Sequence, residues 1–178
     1  MIKRNSTVKS AVSIGHILLL TGCATCLDLE DQTMGTQFSV GDTIATSGTN
    51  IKVEQFQYSS GVWTSSERAQ IDNRNYARGS GLDLNARNVN LRPQHAYPVN
   101  KIKFNFGELG GNNNVNINGD FQNVGDLIDL NNSTIGGAQV TVDAVQQGNN
   151  WYGIIEVEGD ISDFSIGGQE LWLDNYCF

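Results

Sequence analysis

The sequence predicts an all-β protein, an antiparallel β-sandwich or jelly roll, and two observations carry this prediction. Apolar and polar residues alternate in short runs, which is the period of a strand with one buried face. Gly and Asn residues separate these runs, as turns between antiparallel strands require. Beyond position 27, no apolar pattern at helical spacing lasts three turns. A sheet closed on itself remains an alternative arrangement of the same strands.

The alternating runs define the expected strands in chain order. Their apolar members are Ile51 and Val53, Leu82 to Leu91, Ile102 to Phe106, Val115 and Ile117, Val140 and Val142, Ile155 and Val157, and Leu171 and Leu173. Residues 58–63 read as a hairpin, and 67–78 as a polar strand or loop. The pairs Gly110-Gly111 and Gly167-Gly168 are expected to be turns between strands.

Length and charge bound the function. A chain of 178 residues suits one domain. Three of its 11 Lys and Arg residues lie within the first nine positions, which leaves eight against 19 Asp and Glu residues, a net charge of −11. This balance argues against nucleic acid as a partner, because phosphate binding requires a basic face. With 17% charged and 39% hydrophobic residues, the chain is not an acidic disordered tail.

Residues 1–22 have the order of a bacterial signal peptide. Lys3, Arg4 and Lys9 precede an apolar run over residues 11–20. Such a run suits a signal-peptide core, whereas crossing a bilayer takes about 20 residues. The mature chain is therefore expected to be a single β-sandwich domain over residues 23–178.

The string Leu20-Thr21-Gly22-Cys23 resembles the lipobox of bacterial lipoproteins. The resemblance implies that Cys23 becomes the first residue and carries the lipid, so that the protein is exported and attached to a membrane of the cell envelope. Because Ala24 is not Asp, the resemblance also implies the outer membrane in a diderm cell. An ordinary cleaved signal peptide that contains Cys23 is the alternative.

Two strings of the mature domain, 106–112 and 167–172, resemble those of secreted bacterial β-sandwich proteins of unknown function. This resemblance implies no activity. It is consistent with the export that the N-terminal pattern predicts.

Two cysteines remain once Cys23 carries lipid. Cys26 and Cys177 permit one intramolecular disulfide, which an oxidising compartment favours. The bond would join the two ends of the mature chain and stabilise it by about 4–5 kcal/mol in the chain-entropy model. A metal site is the rival, but two thiols without a nearby His make a poor one.

Catalytic signals are few. The one imidazole outside the signal peptide, His95, lies in a segment expected to be an exposed loop, and no serine or zinc hydrolase motif accompanies it. Carboxylates are the only abundant reactive groups, and a glycosidase needs two of them facing a cleft. Glu156 with Glu158, and Glu170 with Asp174, are the pairs that could do so. A solvated polar face is the simpler interpretation of these acids. We therefore do not favour an enzymatic function.

Calcium is a second use for acidic turns. The oxygens of Asp126, Asp129 and Asn131 lie close in sequence, and hard cations prefer such ligands. Asp and Asn also populate turns for conformational reasons alone. Calcium is therefore a possible cofactor and not a required one.

Aromatic residues beside acids predict a carbohydrate-binding surface. Strand alternation places Trp172 with Glu170 and Asp174 on the polar face of its strand. Trp151 and Tyr152 follow a turn and form a second candidate platform. The alternative is that each Trp packs under a loop.

These observations favour a lipid-anchored, non-enzymatic β-sandwich that binds a carbohydrate or an envelope partner. A carboxylate-based glycoside hydrolase and a purely structural or assembly lipoprotein are the alternatives.

Overall fold

The structure, a computed structural model, describes residues 25–46, 48–64 and 66–178, and this part of the chain is all-β. The predicted fold class is confirmed. The strands are β1 (Cys26–Leu27), β2 (Gln37–Ser39), β3 (Thr43–Thr46), β4 (Thr49–Gln55), β5 (Arg68–Asp72), β6 (Asp83–Arg87), β7 (Val89–Gln94), β8 (Val99–Ile117), β9 (Asp120–Val124), β10 (Ser133–Ile135), β11 (Ala138–Gln147), β12 (Asn150–Ile161) and β13 (Phe164–Cys177). A short 3₁₀ helix, Leu127–Leu130, lies between β9 and β10.

Two long strands, β8 and β13, run through both layers of the sandwich. In the first layer, sheet A, the order is β10-β11-β12-β8-β13-β6-β5-β2, and β1 pairs with the end of β13. In the second layer, sheet B, the order is β3-β4-β7-β13-β8-β9. The first half of β8 and the second half of β13 belong to sheet A, and their other halves belong to sheet B.

The expectation that Gly110-Gly111 and Gly167-Gly168 are turns between strands is wrong. Both pairs lie inside continuous strands. The pairing register of β8 with β13 shifts between Gly168 and Leu171, opposite Gly110. Gly110 and Gly111 have φ angles of 140° and 83°. An irregularity of this kind bends a strand, so these glycines let β8 and β13 pass from one sheet to the other.

A tight turn does occur where Asn and Gly are adjacent at the end of β8. Asn118 and Gly119 both have positive φ, 52° and 85°, and they connect β8 to β9 directly. Two central residues with positive φ match the right-handed twist of paired strands, and Asn-Gly is the residue pair that adopts them most readily.

The core lies between the two sheets and contains the apolar members of the alternating runs. Phe104 and Phe106 of β8 and Phe164 of β13 are almost completely buried in it. Tyr176 packs against Phe104 and Phe164 and carries the core toward the end of the chain. The alternation that predicted the strands therefore also predicted their buried faces.

The Cys26–Cys177 disulfide is present, as predicted. The two cysteines are directly paired residues of β1 and β13, with their α-carbons 4.0 Å apart. Thr25 and Phe178 exchange backbone hydrogen bonds of 3.0 and 2.9 Å beyond the disulfide. The first described residues are thus fixed to the end of the last strand.

The signal peptide over residues 1–22 and the lipobox cysteine Cys23 lie outside the described residues. Within the described part of the chain, none of the helices has the length and apolar character needed to cross a membrane.

Candidate functional site

The prediction of an exposed platform at Trp172 is wrong, because this residue is only 5% exposed. Alternation does place Trp172 on the outer face of sheet A, away from the main core. There, however, the Tyr76 and Trp172 rings pack in a T-shaped arrangement, with ring centroids 4.9 Å apart. The alternative, that this Trp packs under a loop, is confirmed.

The loop that buries Trp172 is the connection between β5 and β6, residues 73–82, which we call the cover segment. It crosses the outer face of sheet A above Gly107 of β8. A Cβ on Gly107 would lie 2.1 Å from the Tyr76 carbonyl oxygen, so the close approach requires glycine. Asn105 of β8 donates a side-chain hydrogen bond to the Arg78 carbonyl at 3.3 Å.

Carboxylates hold the backbone of the cover segment. Asp174 accepts the Ser80 N–H at 2.7 Å, and Asp83 accepts the Ala77 N–H at 3.3 Å. Asp174 is 2% exposed, so its predicted place on an accessible ligand surface is wrong as well. Burial raises the pKa of Asp174 to about 6 and raises the pKa of Asp83.

Glu170, the third residue of the predicted Trp172 platform, is exposed. Its carboxylate lies toward β8, where one oxygen is 3.9 Å from the position of a Cβ on Gly110. The structure therefore separates Glu170, at the surface, from Asp174, beneath the cover segment.

The second predicted platform is only partly exposed. Trp151 packs against the main core, and its indole N–H is buried without a hydrogen-bond partner among the described residues. Tyr152 lies beside Gly107 in the pairing of β12 with β8, and the Arg78 guanidinium sits 3.9 Å from the centre of its ring. The cover segment thus reaches Tyr152 as well as Trp172.

The carboxylate pairs considered for hydrolysis lie on one face of one sheet, and not on facing sheets. Lys101 forms ion pairs with Glu156 and Glu158, at 2.7 and 2.9 Å. Glu170 and Asp174 lie on β13 of the same sheet, with β8 between the two pairs.

The three residues considered for calcium lie in the 3₁₀ helix or next to it. Asp126 precedes it, Asp129 lies in it, and Asn131 follows it. The Asn131 side-chain oxygen accepts the Val142 N–H at 3.0 Å. Among the described residues, no group of three or more His, Cys, Asp or Glu side chains is arranged to hold a metal ion.

Glu108 is a buried acid that sequence reasoning did not identify. It is 1% exposed on the core side of β8, where it accepts hydrogen bonds from Asn113 at 2.7 Å and from the Leu127 N–H at 2.9 Å. Burial raises the pKa of Glu108 to about 7. Its place in an alternating apolar run, where Leu or Phe would be expected, is the one signal of this burial. His95 also differs from expectation, since it is half-buried between Tyr176 and Phe178.

An exposed aromatic surface lies on the other layer, at Trp63. This residue closes the predicted 58–63 hairpin through a bridge to Gln57, and the hairpin is confirmed. Asn112 and Asn123 anchor the hairpin on sheet B by donating to the Gln57 carbonyl at 3.3 and 2.8 Å. Trp63 is 48% exposed, and its ring lies 5.7 Å from that of Phe121 on β9.

A groove of about 710 Å³ extends from Trp63 and Phe121 across the outer face of sheet B. We call it the Trp63 groove. Its polar lining residues are Lys52, Glu54, Gln55, Asn90, Arg92, Asn116 and Ser165. Arg92 forms ion pairs with Glu54, at 2.9 Å, and with Asp163. Asp163 also accepts a hydrogen bond from Asn116 at 2.9 Å.

Sequence reasoning missed this groove because its residues come from five strands, the hairpin and the connection between β2 and β3. The available signal was a Trp two positions after the polar turn Ser59-Ser60-Gly61, since a Trp at a hairpin end has fewer neighbours to bury it. No protein-family model, curated protein or solved structure matches the chain.

Proposed function

We propose that the protein is a lipid-anchored, non-enzymatic β-sandwich of the cell envelope that binds a carbohydrate chain in the Trp63 groove. The observation that carries the proposal is the pair of aromatic rings, Trp63 and Phe121, at the edge of a groove lined by amides and charges. The sequence favoured this class of function at Trp172, and the structure supports it better at Trp63.

The chemistry of the groove fits a saccharide. A sugar ring has an apolar C–H face, which packs on an aromatic ring, and hydroxyl groups that require directional polar partners. Binding sites for small ligands combine aromatic area with a few placed polar groups in this way. The volume of the Trp63 groove, about 710 Å³, lies in the usual range for small-ligand sites.

The ion pairing and burial of the carboxylates favour binding without cleavage. An acid catalyst for glycoside hydrolysis must present a proton to the leaving oxygen. In the Trp63 groove, Arg92 holds both Glu54 and Asp163. Outside it, Glu156 and Glu158 are ion-paired with Lys101, and Asp174 is buried. We therefore favour binding over the hydrolase alternative.

The lipid anchor follows from the lipobox resemblance at Cys23, and the fold supplies a firm point of attachment. Only Ala24 separates Cys23 from Thr25, whose backbone is hydrogen-bonded to Phe178. Two residues span at most about 7 Å. A lipid on Cys23 would therefore hold the disulfide-linked end of the sandwich close to the bilayer.

Carbohydrate binding is tested on a glycan array with the exported protein purified in detergent. We expect binding to at least one glycan, and a loss of about tenfold or more in affinity for Trp63→Ala, because an aromatic hot spot commonly contributes over 1 kcal/mol. Val62→Ala is the matched control, since Val62 is 60% exposed beside Trp63 but does not line the groove. Equal binding by Trp63→Ala and wild type would refute the proposed site.

Attachment is tested by fatty-acid labelling in a bacterial host. We expect Cys23→Ser to abolish labelling, because the thiol is the acceptor, and Cys177→Ser to leave it intact. Several acyl chains anchor a protein stably where one does not. Labelling that persists in Cys23→Ser contradicts the lipoprotein assignment.

A further inference from the structure

A second cavity, of about 160 Å³, lies on the outer face of sheet A beside the cover segment. Arg68 and Arg87 line it together with the buried Trp172. Its lining shares no residue with the Trp63 groove. The cavity is smaller than the usual sites for drug-sized molecules, which suits one small group.

Arg68 and Arg87 are directly opposite each other in the pairing of β5 with β6. Like charges in this position destabilise a sheet. Both side chains are exposed, and neither forms an ion pair with any residue in the described part of the chain. Two adjacent unpaired arginines are notable in a protein whose mature charge is strongly negative.

The two acids that line the cavity do not neutralise this pair. Asp72 is bound by Arg74, with a contact of 3.3 Å, and by the Trp172 indole N–H at 3.4 Å. Glu170 lies one strand away from Arg87, but its carboxylate is directed toward Gly110 on the far side of β13. The guanidinium groups of Arg68 and Arg87 therefore keep their hydrogen-bonding capacity.

An unused acceptor lies next to the arginines. The side-chain oxygen of Asn85 is buried and has no hydrogen-bond partner among the described residues. Asn85 lies between Trp172 and Gln70 in the strand register, so it lines the same cavity. A buried acceptor without a donor is unfavourable, so a ligand hydroxyl in the cavity would favour a rotation of the Asn85 side chain that turns this oxygen toward it.

We propose that this cavity binds the carboxylate of a sugar acid, with Arg68 and Arg87 on the carboxylate and Asn85 accepting from a neighbouring hydroxyl. Arginine is suited to this role because its planar fork pairs with both oxygens of a carboxylate. The anion also removes the repulsion between the two guanidinium groups. The site is independent of the Trp63 groove and stands whether or not the groove binds carbohydrate.

The test is a titration of the exported, detergent-purified protein with glucuronate, followed by NMR of the Trp indole N–H groups. Glucose and inorganic sulfate are the comparison probes. We expect glucuronate to shift the Trp172 signal and to leave the Trp63 signal in place. Glucose at the same concentration should shift neither signal. Sulfate should bind more weakly than glucuronate, because it offers no hydroxyl to Asn85.

Variants separate this site from general electrostatics. Arg87→Gln should weaken glucuronate binding by about tenfold or more, since a charged hydrogen-bonding group is removed. Lys103→Gln removes an equal charge at an exposed residue that lines neither cavity, and it should leave binding unchanged. Thermal melting confirms folding, and Arg87→Gln should melt no lower than wild type because it relieves the Arg68 repulsion. Three results would each overturn the proposal: no shift of Trp172 with glucuronate, unchanged binding by Arg87→Gln, or sulfate binding as tight as glucuronate.

Discussion

Trp172 and Trp63 occupy comparable positions in the two layers but have opposite surroundings. Each lies on the outer face of a sheet, near acids and amides, and each is adjacent to a connection that folds back over that face. The cover segment over sheet A buries Trp172 to 5% exposure, while the hairpin on sheet B carries Trp63 outward at 48% exposure.

The difference arises from what each connection brings with it. The cover segment supplies Tyr76 against the indole, and Asp174 and Asp83 bind its backbone. The hairpin is held from below by Asn112 and Asn123, which bind the Gln57 carbonyl and leave Trp63 at the edge. The comparison shows that an aromatic residue beside acids is accessible only where no connection packs over its ring.

The largest effect is expected at the buried tryptophan. Trp172→Ala should lower the free energy of unfolding by about 3–5 kcal/mol, because it leaves a cavity beneath Tyr76. Urea denaturation of both proteins measures it. Trp172→Phe is the matched control and should lose less, since a ring remains to pack against Tyr76. A change below about 1 kcal/mol for Trp172→Ala would contradict burial under the cover segment.

Gly107 tests the close approach of the cover segment. Gly107→Ala places a methyl group 2.1 Å from the Tyr76 carbonyl in the present geometry. Displacing the segment should cost about 1–3 kcal/mol, as overpacking usually does, and should raise the fluorescence quenching of Trp172 by acrylamide. Gly125→Ala is the control, because nothing lies within 4 Å of a Cβ there. Equal stability of the two variants would show that the segment does not press on β8.

The carboxylates under the cover segment should make stability depend on pH. The folded-state pKa of Asp174 is raised to about 6, above the ordinary unfolded value of about 3.9. Its contribution is therefore fully present below about pH 4 and is lost as pH rises toward and through about 6. Urea midpoints from pH 3 to pH 8 measure this dependence.

The change belongs to Asp174 only if a variant removes it. Asp174→Asn keeps a side-chain oxygen for the Ser80 N–H but does not titrate. The difference in unfolding free energy between wild type and this variant should fall with pH across that window. Subtraction also removes the contribution of Glu108, whose pKa of about 7 acts in the same direction. A flat difference would contradict the raised pKa of Asp174.

The smallest effect on stability is expected at the exposed tryptophan. Trp63→Ala should change the free energy of unfolding by less than about 1 kcal/mol, because about half of the side chain is already in water. The same urea experiment measures it alongside Trp172→Ala. A loss as large as that of Trp172→Ala would mean that Trp63 serves the fold, and the contrast between the two faces would fail.

Some features could be predicted from the sequence because they depend on neighbours along the chain. Alternation identified β4, β6, β7, β8, β11, β12 and β13 and their buried faces. The disulfide was predictable because the lipobox resemblance sets Cys23 aside and leaves Cys26 and Cys177 as the one pair. The glycine pairs could not be interpreted correctly, since a turn and a bend in a continuous strand require the same residue. Only the strand partners decide between them.

The sequence by itself determined the all-β class, the buried face of each strand and the link between the chain ends, because period-2 alternation and cysteine number are local or combinatorial properties. Only the tertiary structure decided which outer faces are accessible. The covering of Trp172 depends on residues 73–82, which lie 90 to 99 positions earlier in the sequence. The Trp63 groove and the Arg68–Arg87 cavity likewise unite residues from distant strands. Which connection crosses which face is a property of topology, and alternation within a strand carries no information about it.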